Sequence, residues 1–209
     1  MKTRREVLLM LAAAGMLFAF DGCNEKGKLT HDNLKAAIIG ETTASVKYAA
    51  FAVKAREEGF PQIAVLFEAT SKAETMHARN HKVVFDLLGL KMESFKPKFE
   101  VKSTAENLQN AIKGEGYEVD TMYPDFMKDA RHDRIDPAIS TFSMALHAEM
   151  THKKFFITAL AALNSKTVAQ LPMEYFVCSK CGNTFSSETV GAKCPLCGTH
   201  REKFFHFKG

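Results

Sequence analysis

Two four-residue steps constrain this chain more than anything else in it. Glu74-Thr-Met-His77 and Glu149-Met-Thr-His152 each set a carboxylate and an imidazole three residues apart, within stretches whose apolar residues recur with helical period. On a helix that spacing puts both side chains on one face. Glu41, Glu115 and Glu118 also fall on apolar stripes, most plainly in the series Leu108, Ala111/Ile112, Glu115, Glu118, Met122. A carboxylate buried alone costs several kcal/mol, about 3–5 or more when its partner is missing. No Lys or Arg pattern on these faces supplies the balancing charge, so the fold must bring the five carboxylates together around cations. One Glu on each of two helices with Glu-x-x-His on the other two is the ligand set that helix bundles use for a pair of metal ions.

The helices can be placed from their end signals. Asp32 is a cap for a first helix with apolar positions at 34, 37/38, 41, 44/45, 48 and 52, ending at Gly59-Phe60-Pro61. A second runs from about Pro61 to Leu88, and residues 91–101, with a proline and no period, read as a long crossover. Ser103 and Glu106 form a capping box that opens a third helix, expected to extend to about Asp129. Asp136 as N-cap with Pro137 after it starts the fourth, which fades near Asn164. The halves echo each other: Gly40-Glu41 lies ahead of Glu74 much as Gly114-Glu115 lies ahead of Glu149, and Phe67 and Phe142 each precede a Glu-x-x-His step by seven residues. The expected fold is mainly α: a ferritin-like four-helix bundle with the long crossover between helices 2 and 3.

The other histidines carry no such pattern. His81 and His147 read as core or rim residues, and His31, His132, His200 and His206 have no ligand spacing.

Beyond residue 164 the composition changes. Residues 165–173 read as a polar hinge, and residues 174–209 as a small module rich in Cys, Gly and Phe, too short to bury a core without a metal staple. Its pairs Cys178/Cys181 and Cys194/Cys197 have twelve residues between the inner cysteines, the pattern of a tetrahedral tetrathiolate rather than of disulfides. Iron and zinc both accept that donor set. The neighbouring dimetal bundle favours iron, and zinc stands as the alternative.

The start of the chain reads as an address rather than as fold. Residues 1–22 combine a basic start with a fourteen-residue apolar run from Val7 to Phe20, short for a membrane span and typical of an export signal. The order Thr3-Arg4-Arg5-Glu6-Val7-Leu8-Leu9 resembles a twin-arginine signal. That route carries folded, metal-loaded proteins, which protects four thiolates from pairing outside the cytoplasm. Cys23, after Gly22, resembles the lipid-modified cysteine of bacterial lipoproteins; Phe20 and Asp21 depart from that pattern, and a plain spacer cysteine is the other reading. Residues 23–31 form a linker, and residues 32–164 the bundle. The expected location is therefore outside the cytoplasmic membrane, periplasmic, with a lipid tether through Cys23 if that residue is modified. A net charge of +4 without a long basic run gives no sign of a nucleic-acid partner.

Taken together, IGETTASVKYAAFAVKAREEGFPQIAVLFEATSKAETMHA, NLQNAIKGEGYEVDTMYPDF and FVCSKCGNTF with KCPLCG resemble the rubrerythrins, over about residues 33–209. The resemblance implies a di-iron peroxidase that reduces hydrogen peroxide to water, with electrons relayed by a C-terminal rubredoxin-like Fe(Cys)4 module held by Cys178, Cys181, Cys194 and Cys197. It implies Glu41, Glu74, His77, Glu115, Glu118, Glu149 and His152 as di-iron ligands, with Glu118 and His77 trading places as the redox state changes. Tyr48 and Tyr123 align with tyrosines beside such a site, where they would donate hydrogen bonds to peroxide; two core tyrosines is the plainer reading. The implied enzyme is an NAD(P)H-linked peroxidase fed by an external, unidentified reductase. It would act in defence against oxidative stress as a homodimer or higher homo-oligomer, whose head-to-tail packing brings the thiolate iron of one subunit toward the di-iron site of another. The alternatives are a ferroxidase or iron-handling protein, and a non-enzymatic electron carrier.

Overall fold

A computed structural model describes residues 27–209; the export-signal reading of residues 1–22 and the lipidation reading of Cys23 lie outside the described residues. Five α-helices come first: α1 Lys28–Glu57, α2 Pro61–Leu87, α3 Thr104–Tyr117, α4 Tyr123–Asp133 and α5 Asp136–Asn164. A π-helical segment, Glu118–Met122, joins α3 to α4, so the expected third helix is one rod with a wider turn in its middle. The result is the expected four-helix bundle, with an irregular crossover over residues 88–103. Among the described residues no helix is long and apolar enough to cross a membrane.

Helix ends follow the sequence signals except at two caps. Pro61 stands in the first turn of α2, and Ser103 closes the capping box with Glu106 at the start of α3. For α5 the cap is Ile135 rather than Asp136, with Pro137 still in the first turn. The cap expected at Asp32 is not used. α1 begins a turn earlier, behind Gly27 at φ 87°, and Asp32 is an exposed residue inside the helix. The reason lies far along the chain: the Thr30 N–H and hydroxyl both donate to Asp133 Oδ2 at the end of α4, 3.1 and 2.7 Å away, which satisfies a first-turn donor that would otherwise lack a partner.

Two apolar clusters flank the layer of buried acids. One holds Tyr48, Phe51, Phe67, Leu108 and Phe156; the other holds Leu34, Ile38, Phe85, Tyr123 and Phe142. The duplicated phenylalanines therefore separate, Phe67 into the first cluster and Phe142 into the second. Aromatic rings pack tightly in the first, with Phe67 and Phe156 centroids 5.1 Å apart and Tyr48 and Phe156 5.3 Å apart.

Past α5 the segment read as a polar hinge is packed down. Val168–Gln170 form a 3₁₀ turn, and Val168 and Leu171 lie on the first cluster. On such a turn residues three apart share a face, so two apolar side chains in a polar stretch suffice to dock it. The module is a three-stranded antiparallel sheet of β1 Glu174–Val177, β2 Thr184–Ser186 and β3 Phe205–Lys208, in the order β2-β1-β3. Strand alternation sends Tyr175 and Val177 into the bundle's core while Phe176 and Cys178 face the thiols. Among the module's aromatics, Phe176, Phe185 and Phe204 shield the cysteines, whereas Tyr175 and Phe205 bind the module to the bundle.

Candidate metal centres

Each helix of the bundle contributes to one buried polar layer: Glu41 from α1, Glu74 and His77 from α2, Glu115 from α3, Glu149 and His152 from α5. Their ligand atoms form two groups, Glu41-Glu74-His77-Glu149 and Glu74-Glu115-Glu149-His152, each with its atoms within 4.8 Å of one another. Glu74 and Glu149 belong to both groups. His77 Nδ1 faces Glu74 Oε2 and Glu149 Oε1, both at 2.8 Å, and His152 Nδ1 lies 2.6 Å from Glu149 Oε2 and 3.3 Å from Glu74 Oε1.

The electrostatics is that of a layer demanding positive charge. Burial, reinforced by Glu74 and Glu149, raises the Glu41 carboxyl well above the usual range. Burial with Glu149 and Glu74 raises Glu115 to about 8, and burial with Glu41 raises Glu118. Burial would lower both imidazoles, but Glu149 beside His77, and Glu74 and Glu149 beside His152, hold them well above the ordinary histidine range. Glu74 stays low against its burial because His152 and His77 pair with it. Even so, Glu41 Oε2, Glu74 Oε1, Glu115 Oε2 and Glu149 Oε1 are buried with no hydrogen bond of their own. Each Nδ1 carries one proton at most and cannot serve every oxygen turned toward it. Four orphaned carboxylate oxygens and two imidazole nitrogens, converging without Lys or Arg, fit a pair of iron ions, which take such oxygen and nitrogen donors.

Glu118 is placed differently. It opens the π segment, is half-buried, and belongs to neither four-ligand group, whereas His77 belongs to the first. Tyr48 and Tyr123 are buried on the two sides of the layer. Tyr48 donates to Glu115 Oε1 at 2.6 Å, and Tyr123 donates to Glu41 Oε1. Burial first, then the neighbouring glutamates, pushes both phenols up, so they remain O–H donors.

Several contacts were not legible in the chain. His81, read as a core or rim histidine, is fully buried between Tyr123 and Thr141, and burial, with His77 nearby, lowers it to about 3, leaving it neutral. His147 is exposed, bonded to the Ser143 carbonyl. Thr184 of β2 sits 2.9 Å from His152 Nε2 and itself donates to the Gly182 carbonyl, so Nε2–H can donate to it and Nδ1 is left for the carboxylate side. No helical periodicity could reveal this, because Thr184 belongs to the module.

The four module cysteines are free thiols whose Sγ atoms lie within 4.8 Å of one another, with Cys178 and Cys197 3.4 Å apart and Cys181 and Cys194 3.5 Å apart. These distances are far beyond an S–S bond of about 2.05 Å. They approach the edge of about 3.8 Å that a tetrahedron has when metal–sulfur bonds are about 2.3 Å. A hydrogen bond from Cys181, with the Cys181 and Lys180 N–H groups, takes the Cys178 thiol down to about 4, while the same pairing pushes Cys181 up. Gly182 and Gly198 adopt left-handed φ of 79° and 72°, and their N–H groups go to the Cys178 and Cys194 carbonyls. It is Lys180, Cys181, Asn183, Leu196 and Cys197 whose amides turn toward sulfur.

This thiolate site lies against the same chain's bundle. Asn80 of α2 donates to the Lys180 carbonyl at 2.8 Å. A Cβ placed on Gly182 would collide with the His77 ring and come within 3.0 Å of the Ala73 carbonyl. Within the chain, the module thus reaches the helix that carries His77.

A family model described as Rubrerythrin matches residues 32–160. Nigerythrin of Nitratidesulfovibrio vulgaris is 33% identical over 215 residues, covering 98% of each chain. Rubrerythrin-2 of Clostridium acetobutylicum is 33% identical over 184 residues, covering 87% of this chain and 98% of its own. Among solved structures, mixed-valent nigerythrin superposes with a TM-score of 0.77 at 32% identity over 99% of this chain and all of its own. The symerythrin of Cyanophora paradoxa, at 22% identity and TM-score 0.56 over 65% of this chain and 85% of its own, shares the fold.

Proposed function

The chain belongs to the rubrerythrin family, and from that premise we propose that it is a peroxidase reducing hydrogen peroxide to water, with electrons relayed through the four-cysteine site. A di-iron oxidoreductase of peroxidase type is what the family supports. The observation that carries the finer reading is the pairing of two four-ligand groups, joined through Glu74 and Glu149, with a tetrathiolate seated beside His77. Iron bound at these sites supplies the two electrons that O–O cleavage takes and their one-electron replenishment.

The chain's own residues do the rest. Aromatic clusters above and below the acid layer exclude water from it. Tyr48 and Tyr123, held as O–H donors against Glu115 and Glu41, orient those carboxylates and are the nearest phenolic protons for a departing oxygen. Glu118, outside both groups but beside them, is the alternate ligand to His77. Thr184 and Asn80 hold the module over the two ligand histidines' helices. NAD(P)H, through an external reductase, is the proposed electron source, and the twin-arginine-type start proposes delivery outside the cytoplasmic membrane; fractionation of cells expressing the full chain tests the second point.

Stopped-flow mixing of the reduced, iron-loaded protein with peroxide tests the activity. Rapid oxidation of both iron centres with water as the product is expected. Slow reaction with peroxide but fast reaction with oxygen, with iron deposited in the protein, would instead establish a ferroxidase.

A further inference from the structure

One residue from each rod of the bundle enters a single line of hydrogen bonds: Thr141 on α5, His81 on α2, Tyr123 at the start of α4 and Glu41 on α1. Thr141 Oγ1 is 2.9 Å from His81 Nδ1, and His81 Nε2 is 3.1 Å from the Tyr123 hydroxyl, which donates to Glu41 Oε1. His81 and Tyr123 are fully buried and Thr141 is 7% exposed. The His81 ring also lies 5.3 Å from that of Phe142, which holds it in place.

The directions of these bonds follow from what each group can do. Glu41, as a metal ligand, must be ionised and can only accept. Tyr123 has one O–H and spends it on Glu41, so its oxygen accepts from His81. Among the described residues no carboxylate lies within hydrogen-bond reach of His81, the nearest being Glu41 Oε1 at 3.9 Å. A buried neutral imidazole has one N–H, which must then be on Nε2, and Nδ1 accepts from Thr141. Every member is satisfied in this arrangement, which keeps the Tyr123 O–H on Glu41.

We propose that His81 is a positioning residue for the peroxidase reaction: through Nε2–H it fixes the direction of the Tyr123 hydroxyl onto Glu41, and Thr141 selects the tautomer that allows it. The inference rests on the peroxidase reading for its kinetic consequence but not for its geometry. In sequence His81, four residues past His77, reads as a core or rim histidine; its place in the fold makes it the support behind a phenol.

The test uses the full chain and the variants H81L, H81Q, T141V, Y123F and H81L/Y123F, with iron content measured for each. Nitrogen NMR of the zinc-loaded full chain should show His81 as a single Nε2–H tautomer, and T141V should move both ring nitrogens to values averaged between tautomers. With iron bound, H81L should lower kcat for peroxide about tenfold, the effect of losing one buried hydrogen bond of about 1.4 kcal/mol, with KM changed less than about twofold. H81Q, which keeps a donor near the Nε2 position, should recover most of the loss, and H81L should add nothing in the Y123F background. An Nδ1–H or doubly protonated His81 in the unaltered protein, an unchanged kcat in H81L, or an H81L loss that persists without the Tyr123 hydroxyl would overturn the proposal. If H81L does not fold, T141V and the tautomer measurement still decide. A wild-type protein inert to peroxide would defeat the peroxidase reading while leaving the tautomer result to judge this one.

Discussion

Among the ligands, Glu74 and Glu149 stand apart because each belongs to both four-ligand groups, whereas Glu41 and Glu115 belong to one each. Removing a shared carboxylate should therefore cost both ions and removing an unshared one only its own. From about three irons per chain, as the donor sets imply, Glu74→Ala should leave about one and Glu41→Ala about two, read by metal analysis. Equal losses in the two variants would contradict the shared placement. Gly182 offers a second residue-scale test. Its φ of 79° and its contact with the His77 ring leave no room for a Cβ. Gly182→Ala should destabilise docking by about 1–3 kcal/mol, the usual cost of overpacking. Denaturation of the module should then separate from that of the bundle, and reduction of the di-iron site through the module should slow.

At the scale of elements, the start of α1 depends on the end of α4. Hydrogen bonds from the Thr30 hydroxyl and amide hold the Asp133 carboxyl below the ordinary aspartate range, with burial opposing. A carboxyl depressed on folding adds stability that is fully present above its unfolded value, near about 3.9, and is lost as pH falls through the lower folded value. Thr30→Val should flatten the stability profile in that acid window and leave the profile near neutrality parallel to the original, measured by urea denaturation at a series of pH values. If the slope below pH 4 is the same in both proteins, the contact does not act as described. The π segment is the other element-scale feature. It keeps Glu115 inward with the ligand groups while Glu118, one residue past the end of α3, is left half-buried outside them.

For the whole molecule, two metal-binding layers are built into one packed body, since Tyr175 and Val177 of the module are part of the bundle's apolar cluster. The imidazoles and carboxyls whose values are raised hold protons that metal must displace. Loading the dimetal site in unbuffered solution near neutrality should therefore release protons, and apparent metal affinity should fall as pH falls. A pH-stat titration showing no release would remove that account of the layer's charge.

The chain alone was enough to specify four amphipathic rods, the crossover, the capping box at Ser103, the ligand residue types and the tetrathiolate, because each is written in local spacing: period 3.6, a Glu three residues before a His, two residues between paired cysteines. What it left open concerned partners distant along the chain. Whether Asp32 or Gly27 begins α1 was decided by Asp133, whether the hinge is free by the cluster under Leu171, and how close Gly182 comes to His77 by the module's packing on α2. His81 shows the reason most plainly. Its spacing from His77 marks only which face of α2 it occupies; Tyr123 and Thr141, 42 and 60 residues away, decide what it does there, and no periodicity reports contacts at that range.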